Sequence, residues 1–435
     1  MNLIISRPQG LYCVPGDFYI DPSYGVERAV ITHAHGDHAR TGSEHYLATA
    51  ASEHVLQSRL GNIKLQTLNY GQQIKIKDTT VSLHPAGHVL GSAQVRVEYR
   101  GEIWVASGDY KLAPDPTCSP FESVRCHTFI TESTFGLPIY RWPQNEEITQ
   151  QIALWWQSNA ANGRASVLFC YSFGKAQRLL AMLAHYYDAD KGCCESDKTP
   201  HDQITENSML NNTFSGAFPG PIYCHGAVNT LNNAYRAAGV ALPFTQYVSD
   251  DIRNHTGSHT PSAASKKQAK TNANHLKQEI KATDENQLSE NQLIQSALET
   301  DNRSENIDSH LTEKYNKPKS THNQTKTNYS QALILAPPSA AGSTWLRRFG
   351  DYSDGFASGW MAVRGARRRR GVDRGFVLSD HADWPSLNQA IDASGAQQII
   401  VTHGQIAALV RWLKEKGLDA KSFTRESKSF EEDDS

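Results

Sequence analysis

Residues 29–41 read AVITHAHGDHART, which places His33, His35, Asp37 and His38 within six positions, directly after a short apolar run. Side chains alternate along an extended segment, so His33 and His35 project the same way and can offer their imidazoles to one metal ion. The chain then turns at Gly36, and Asp37 with His38 can reach a second cation beside the first. The alternative is a polar surface turn in which histidines cluster by chance. The H-x-H-x-D-H spacing, with further ligands in fitting contexts downstream, favours a compact loop built for two adjacent cations.

Those further ligands sit at the ends of strand-like runs. HPAGHVLGS lies between two such runs, where Gly87 and Gly91 allow a tight approach and His88 completes the first metal's shell. WVASGDY ends a strand at Asp109, a carboxylate placed to bridge two metals, and IIVTHGQ ends another at His403, the last ligand of the second. Any one of these alone would read as an ordinary satisfied polar group. Together they give two shells of mixed imidazole and carboxylate, a donor set that suits Zn²⁺ first and Mn²⁺ second.

The bulk composition is that of a soluble globular protein. Its 435 residues, 39% of them hydrophobic, suffice for one large or two ordinary domains with their own cores. With 43 basic against 45 acidic side chains, overall charge speaks neither for nor against nucleic acid, and only clustering can make a binding face. Seven cysteines without a C-x-x-C pair fit neither a disulfide framework nor a cysteine zinc site, and point to a reducing cytoplasm. MNLIISRPQG lacks the apolar core of a signal peptide, and no run approaches a membrane span.

Short β-like runs alternate with Gly, Pro and Asp turns as far as about Phe135. NEEITQQIALWW then places Ile148, Ile152 and Trp155 at helical spacing with Asn145 as the N-cap. The buried strand ASVLFCYS is followed by GKAQRLLAML, with Ala176, Leu179, Leu180 and Leu183 on one helical face, so a small parallel α/β unit is expected. Two polar segments, about 189–217 and 251–330, carry too little apolar surface to offset chain ordering and are expected to be disordered or loosely helical insertions. Ordered-looking sequence resumes at QALILAPPSA and closes with AALVRWLKEKG.

In order and context, THAHGDH, AGHVLGS, SGDY and THG resemble the ligand motifs of the metallo-β-lactamase fold, an α/β structure layered as an αββα sandwich. In that family an aspartate ahead of the ligand loop helps to hold it, and Asp21 in FYIDPS matches; on its own it reads equally as a turn aspartate. FITESTFG, ending a strand at Glu132, and VLSDHADW, carrying His381, look like the acidic and histidine motifs of the β-CASP nucleases, in which a parallel α/β domain is inserted between the two. That resemblance divides the chain into a first metallo-β-lactamase part at 1–138, a β-CASP domain at 139–375 and a second metallo-β-lactamase part at 376–435.

At finer grain, LYCVPGDFYIDP, THAHGDHAR, FITESTFGLP, GKAQRLL and SDHADW are similar to the bacterial ligase-associated DNA exonucleases, over about residues 4–188, 218–250 and 330–425. The resemblance implies a two-metal phosphodiesterase of DNA repair acting on single-stranded DNA or DNA ends. The partners implied are an ATP-dependent DNA ligase and a helicase. Metal ligands are then His33, His35, Asp37, His38, His88, Asp109 and His403, and the catalytic residues Asp37, Glu132 and His381. His381, supported by Glu132, protonates the leaving oxygen or holds a phosphate oxygen.

Lys175 stands where that family has a basic residue. VRGARRRRGVDR adds Arg364, Arg367 and Arg368 as expected phosphate contacts, with Trp345 and Trp360 nearby to stack on an unpaired base. His225 is expected to be structural or close to substrate, and His45, His54, His84 and His127 show no partner pattern. Competing readings are an RNA-processing endo- or exoribonuclease with the same site, a small-molecule hydrolase of the metallo-β-lactamase fold, and a non-catalytic scaffold. Glu132, His381 and the inserted domain weigh against the small-molecule hydrolase, and the intact ligand set against the scaffold.

Overall fold

The computed structural model describes residues 2–192, 217–248 and 327–423. The described residues 2–192, 217–247 and 329–423 belong to one compact unit. This unit is a mixed α/β structure with three sheets among the described residues.

The first sheet is laid down in sequence order: β1 (Ile4–Arg7), β2 (Gly10–Cys13), β3 (Phe18–Ile20), β4 (Arg28–Val30), β5 (His45–Thr49) and β6 (Leu65–Leu68). Its first three strands pair antiparallel and the rest parallel. Helix α1 (Glu53–Leu60) connects β5 to β6. A second sheet begins with the antiparallel run β7 (Gln73–Ile76), β8 (Thr79–Pro85), β9 (Ala93–Tyr99) and β10 (Glu102–Ala106), then turns parallel at β11 (Thr128–Ser133).

The chain next builds a third sheet, wholly parallel, in the order β14-β13-β15-β12-β16-β17. Its strands are β12 (Ala165–Phe169), β13 (Ile222–Cys224), β14 (Gln246–Tyr247), β15 (Leu333–Ala336), β16 (Tyr352–Ala357) and β17 (Arg374–Phe376). Helices α2 (Asn145–Ala161), α3 (Lys175–Gly192), α4 (Gly226–Ala237) and the short α5 (Arg364–Arg370) accompany it. After α6 (Trp384–Ser394), β18 (Gln398–Gly404) returns to the second sheet beside β11, and α7 (Ile406–Glu415) leads to β19 (Asp419–Ser422) at its edge.

Strand patterning explains these layers. Along β10 and β11 alternate side chains face opposite ways. Trp104 and Ile130 join Phe18, Ile20, Val30 and Leu47 in a core shared with the first sheet, whereas Val105 and Phe129 pack with Leu409 and Leu413 of α7 and with Trp384 and Ile391 of α6. β12 and β15 are buried at every position, the continuous apolar run expected of a parallel strand covered on both faces. Leu168, Leu333 and Leu335 lie in one core with Trp156 of α2, Leu179 and Leu183 of α3, and Ala29, Ile31 and Val55.

Two sequence expectations shift. Asn145 is the first residue of α2 rather than its cap; its side chain donates to the Pro114 carbonyl and accepts from Arg178, so it is spent on tertiary contacts. α3 continues to Gly192, past the expected start of the first polar insertion, and Tyr329 is buried. The remainder of both expected insertions, 193–216 and 251–326, lies outside the described residues. Among the described residues no helix is long and apolar enough to cross a membrane.

Candidate metal centre

The histidine loop leaves the end of β4 and turns where the backbone N–H groups of His38 and Ala39 donate to the His35 carbonyl. Asp21, at a left-handed φ of +45°, anchors it from the end of β3. Its carboxylate accepts from Thr32 N at 2.8 Å, Thr32 Oγ1 at 2.5 Å and His38 Nδ1 at 2.7 Å. His88 comes from the β8–β9 connection. There a Cβ on Gly87 would meet the Lys111 carbonyl oxygen at 2.2 Å, and one on Gly91 would meet the Ser52 backbone at 2.5 Å, so both positions require glycine. Asp109 follows β10, Glu132 lies in β11 and His403 in β18, at the carboxyl ends of three adjacent parallel strands.

These side chains converge. One ligand atom from each of His33, His35, His88 and Asp109 lies within 4.8 Å of the others, and the same holds for Asp109, Glu132 and His381. Asp109 therefore belongs to both groups. The other expected ligands attach through short contacts: His403 Nε2 is 2.9 Å from Asp109 Oδ1, His38 Nε2 is 3.4 Å from Asp109 Oδ2, and Asp37 Oδ2 is 3.5 Å from His38 Nε2.

Hydrogen bonds on the far ring nitrogens fix how the imidazoles present themselves. His88 Nδ1 donates to the Asp380 carbonyl at 2.8 Å, which leaves Nε2 as an acceptor. His35 Nε2 faces the Phe173 carbonyl at 3.4 Å, which leaves Nδ1. These two lone-pair nitrogens meet at 3.0 Å. His33 Nδ1 donates to Thr32 Oγ1, and its buried Nε2 has no hydrogen-bond partner. Lone pairs crowded together and an orphaned buried acceptor, all beside a carboxylate, form a donor set that fits a divalent cation.

Electrostatics divides the histidines. Burial, then neighbouring histidines, lower His33 and His88 and bring His35 down to about 3, so all three are neutral imidazoles at neutral pH. For His38 burial opposes the charge, but Asp37, Asp109 and Asp21 outweigh it and hold the ring well above its ordinary value. His381 is likewise opposed by burial, yet Glu132 and Asp109 raise it to about 9. Its Nδ1 lies 2.9 Å from Glu132 Oε2. Asp109 itself is held well below the usual carboxylate range, since His38, His381 and His403 overcome its burial.

The expected nucleic-acid contacts fare unevenly. Arg364, Arg367 and Arg368 are exposed on the short helix α5; Arg367 also donates to the Gly375 carbonyl. Lys175 is 3% exposed. Its ammonium lies 3.3 Å from Asp380 Oδ2 and over the Tyr171 ring, which leaves no open face for a phosphate. Trp360 packs against Phe135 and Tyr140, while Trp345 meets His225 and Arg348. His225 caps α4 by accepting from Ala227 N, in keeping with a structural role.

Sequence reasoning passed over Arg178, Asp380 and Lys111. Arg178 is 1% exposed and spans the Ser379 carbonyl, Asn145 and Asp115. Lys111 is 3% exposed, and burial with Arg178 nearby lowers it to about 7. Adjacency of Asp380 to His381 in SDHADW was the one available signal, because residue type does not announce a backbone carbonyl that serves as a hydrogen-bond acceptor.

No protein-family model matches the chain. A probable DNA ligase of Opitutus terrae is 24% identical over 416 residues, covering 94% of this chain and 30% of that protein. An RNase J-like protein of Methanocaldococcus jannaschii is 26% identical over 148 residues, 33% of this chain and 35% of its own length. Endoribonuclease YSH1 of Candida glabrata is 28% identical over 141 residues, 32% of this chain and 18% of the relative. The chain thus spans 35% or less of each of these proteins. With their likeness added to the motifs and to the cluster those motifs form, the chain is similar to proteins of the metallo-β-lactamase/β-CASP family.

Proposed function

We propose that this chain is a two-zinc phosphodiesterase acting on nucleic acid, specifically an exonuclease that trims single-stranded DNA or DNA ends in repair, alongside an ATP-dependent ligase and a helicase. The observation that carries the reading is the shared Asp109, which joins a histidine group suited to a cation to the pair of buried Glu132 and half-buried His381. Likeness to a probable DNA ligase along 94% of the chain supports the repair context. An RNA-processing endo- or exoribonuclease is the second reading, favoured by relatives named endoribonuclease. Two sheets around one core, with helices outside and a parallel sheet between α2 and β17, support an αββα sandwich at 1–138 and 376–435 interrupted by a β-CASP domain at 139–375.

In this reading His33, His35, His88 and Asp109 hold one metal, and Asp37, His38, Asp109 and His403 the other. Bound divalent cations supply Lewis-acid stabilisation of charge on the phosphoryl oxygens and acidify water for in-line attack. Glu132 is already committed: its carboxylate accepts from Tyr110 N at 2.9 Å, Thr134 Oγ1 at 2.6 Å and His381 Nδ1, so it serves as the partner that keeps His381 protonated. With Nδ1 so engaged, His381 has Nε2–H to give to the leaving oxygen. Arg364, Arg367 and Arg368 bind substrate phosphates through an exposed cationic face.

The test is a time course of matched end-labelled single-stranded DNA and RNA oligonucleotides with Zn²⁺ or Mn²⁺ and a chelator control. Metal-dependent stepwise shortening of DNA with RNA spared is the expected result. Preferred RNA cleavage moves the chain to RNA processing with the same site, and cleavage of neither by zinc-loaded protein overturns the nuclease reading.

A further inference from the structure

Behind the histidine cluster lies a buried ionic clamp. Lys175 and Arg178 stand one turn apart on α3 and reach the same loop ahead of α6. Lys175 Nζ is 3.3 Å from Asp380 Oδ2, and Arg178 Nη1 is 3.6 Å from Asp380 Oδ1. Arg178 Nη1 also donates to the Ser379 carbonyl at 2.6 Å, while its Nη2 is fixed by Asn145 Oδ1 at 2.5 Å. None of the three charged residues is more than 3% exposed. The residue they hold, Asp380, is the one whose carbonyl oxygen accepts the proton of His88 Nδ1. Buried ion pairs seldom stabilise a fold better than apolar side chains of similar volume, so stability alone is a weak reason for two cations here.

We propose that Lys175 and Arg178 are positioning residues for the metal centre. By clamping Asp380 they keep its carbonyl oxygen on His88 Nδ1, lock that imidazole in the tautomer that presents Nε2, and hold Nε2 against His35 Nδ1. Because the grip extends to the Ser379 carbonyl, whose own side chain receives His381 N–H at 3.1 Å, it steadies the approach to His381 as well. This role replaces the phosphate contact expected of Lys175 and rests on the reading of the cluster as a metal centre. Partners of this kind that orient a ligating histidine typically govern metal affinity as strongly as they govern rate.

The experiment takes the full chain, strips it with chelator and titrates it with Zn²⁺ against a chromophoric competitor, while long-range nitrogen–proton NMR reads the histidine tautomers. Wild type is expected to bind Zn²⁺ and, before zinc is added, to carry the His88 proton on Nδ1. Lys175→Met keeps the buried stem and removes the ammonium. It is expected to retain the wild-type circular dichroism, bind Zn²⁺ about 10- to 100-fold more weakly and lose kcat with KM for oligonucleotide little changed. A folded K175M with unchanged Zn²⁺ affinity overturns the inference and leaves the centre standing. Wild type that fails to bind Zn²⁺ overturns the centre and the inference with it. Should K175M not fold, the wild-type tautomer decides: a His88 proton on Nδ1 supports the clamp, and one on Nε2 overturns it.

Discussion

The second and third sheets both end in parallel strands, yet they put those ends to different uses. In the second, the carboxyl ends of β10, β11 and β18 deliver Asp109, Glu132 and His403 side by side. In the third, β12 and β13 lead into Tyr171 and His225, and neither joins a ligand cluster among the described residues. Carboxyl ends of parallel strands are where α/β proteins place ligands. The contrast shows that geometry alone does not make a site; a strand end must also be supplied with donors that can be buried together. The third sheet instead contributes α3, whose two cations reach into the back of the site.

Four perturbations test this division, in order of expected effect. Asp109→Ala removes a donor from both groups and should lower nuclease activity beyond the ~10⁴-fold upper end for a lost acid–base residue. Elemental analysis should show less bound zinc; unchanged activity would sink the two-metal reading and with it the assignment of chemistry to the second sheet. His381→Ala should cost about 10²-fold in kcat. Zinc content should stay at the wild-type level, and a parallel loss of metal would instead make His381 a ligand.

Leu335→Ala, at a fully buried position of β15, should cost about 2–5 kcal/mol in denaturant unfolding. The kcat of the protein that remains folded should hardly change. A large loss of kcat at unchanged stability would contradict the view of the third sheet as scaffold. Arg368→Ala should have the smallest effect, a modest weakening of oligonucleotide binding with a salt slope reduced by about 1. An unaltered slope would remove Arg368 from the phosphate contacts.

Much of the site was legible because its information is local or sits at recognisable places. H-x-H-x-D-H puts candidate ligands on one short loop, and the strand-then-polar-residue pattern marks Asp109, Glu132 and His403. The parallel third sheet was likewise readable from apolar runs such as those of β12 and β15. What escaped the sequence depends on distant partners. Lys175 looks like a surface cation until Asp380 is brought against it, and Asn145 looks like a cap until Arg178 claims its oxygen. The basic run forms a helix because its arginines are good helix formers, and Gly371 closes α5 in the left-handed conformation.

Trp142 offers a way to watch the site directly. Its indole Nε1 donates to the His381 carbonyl at 2.9 Å, and its ring lies edge-on to Phe135 at 4.7 Å. Emission from an indole responds to the polarity and charge within a few ångströms, and an imidazolium is an effective quencher. His381 therefore carries its own optical reporter. Although the chain has eight tryptophans, subtracting the spectrum of Trp142→Phe isolates the one that senses this loop. Its intensity should record displacement or discharge of His381 in real time, without a label, as metal and oligonucleotide arrive.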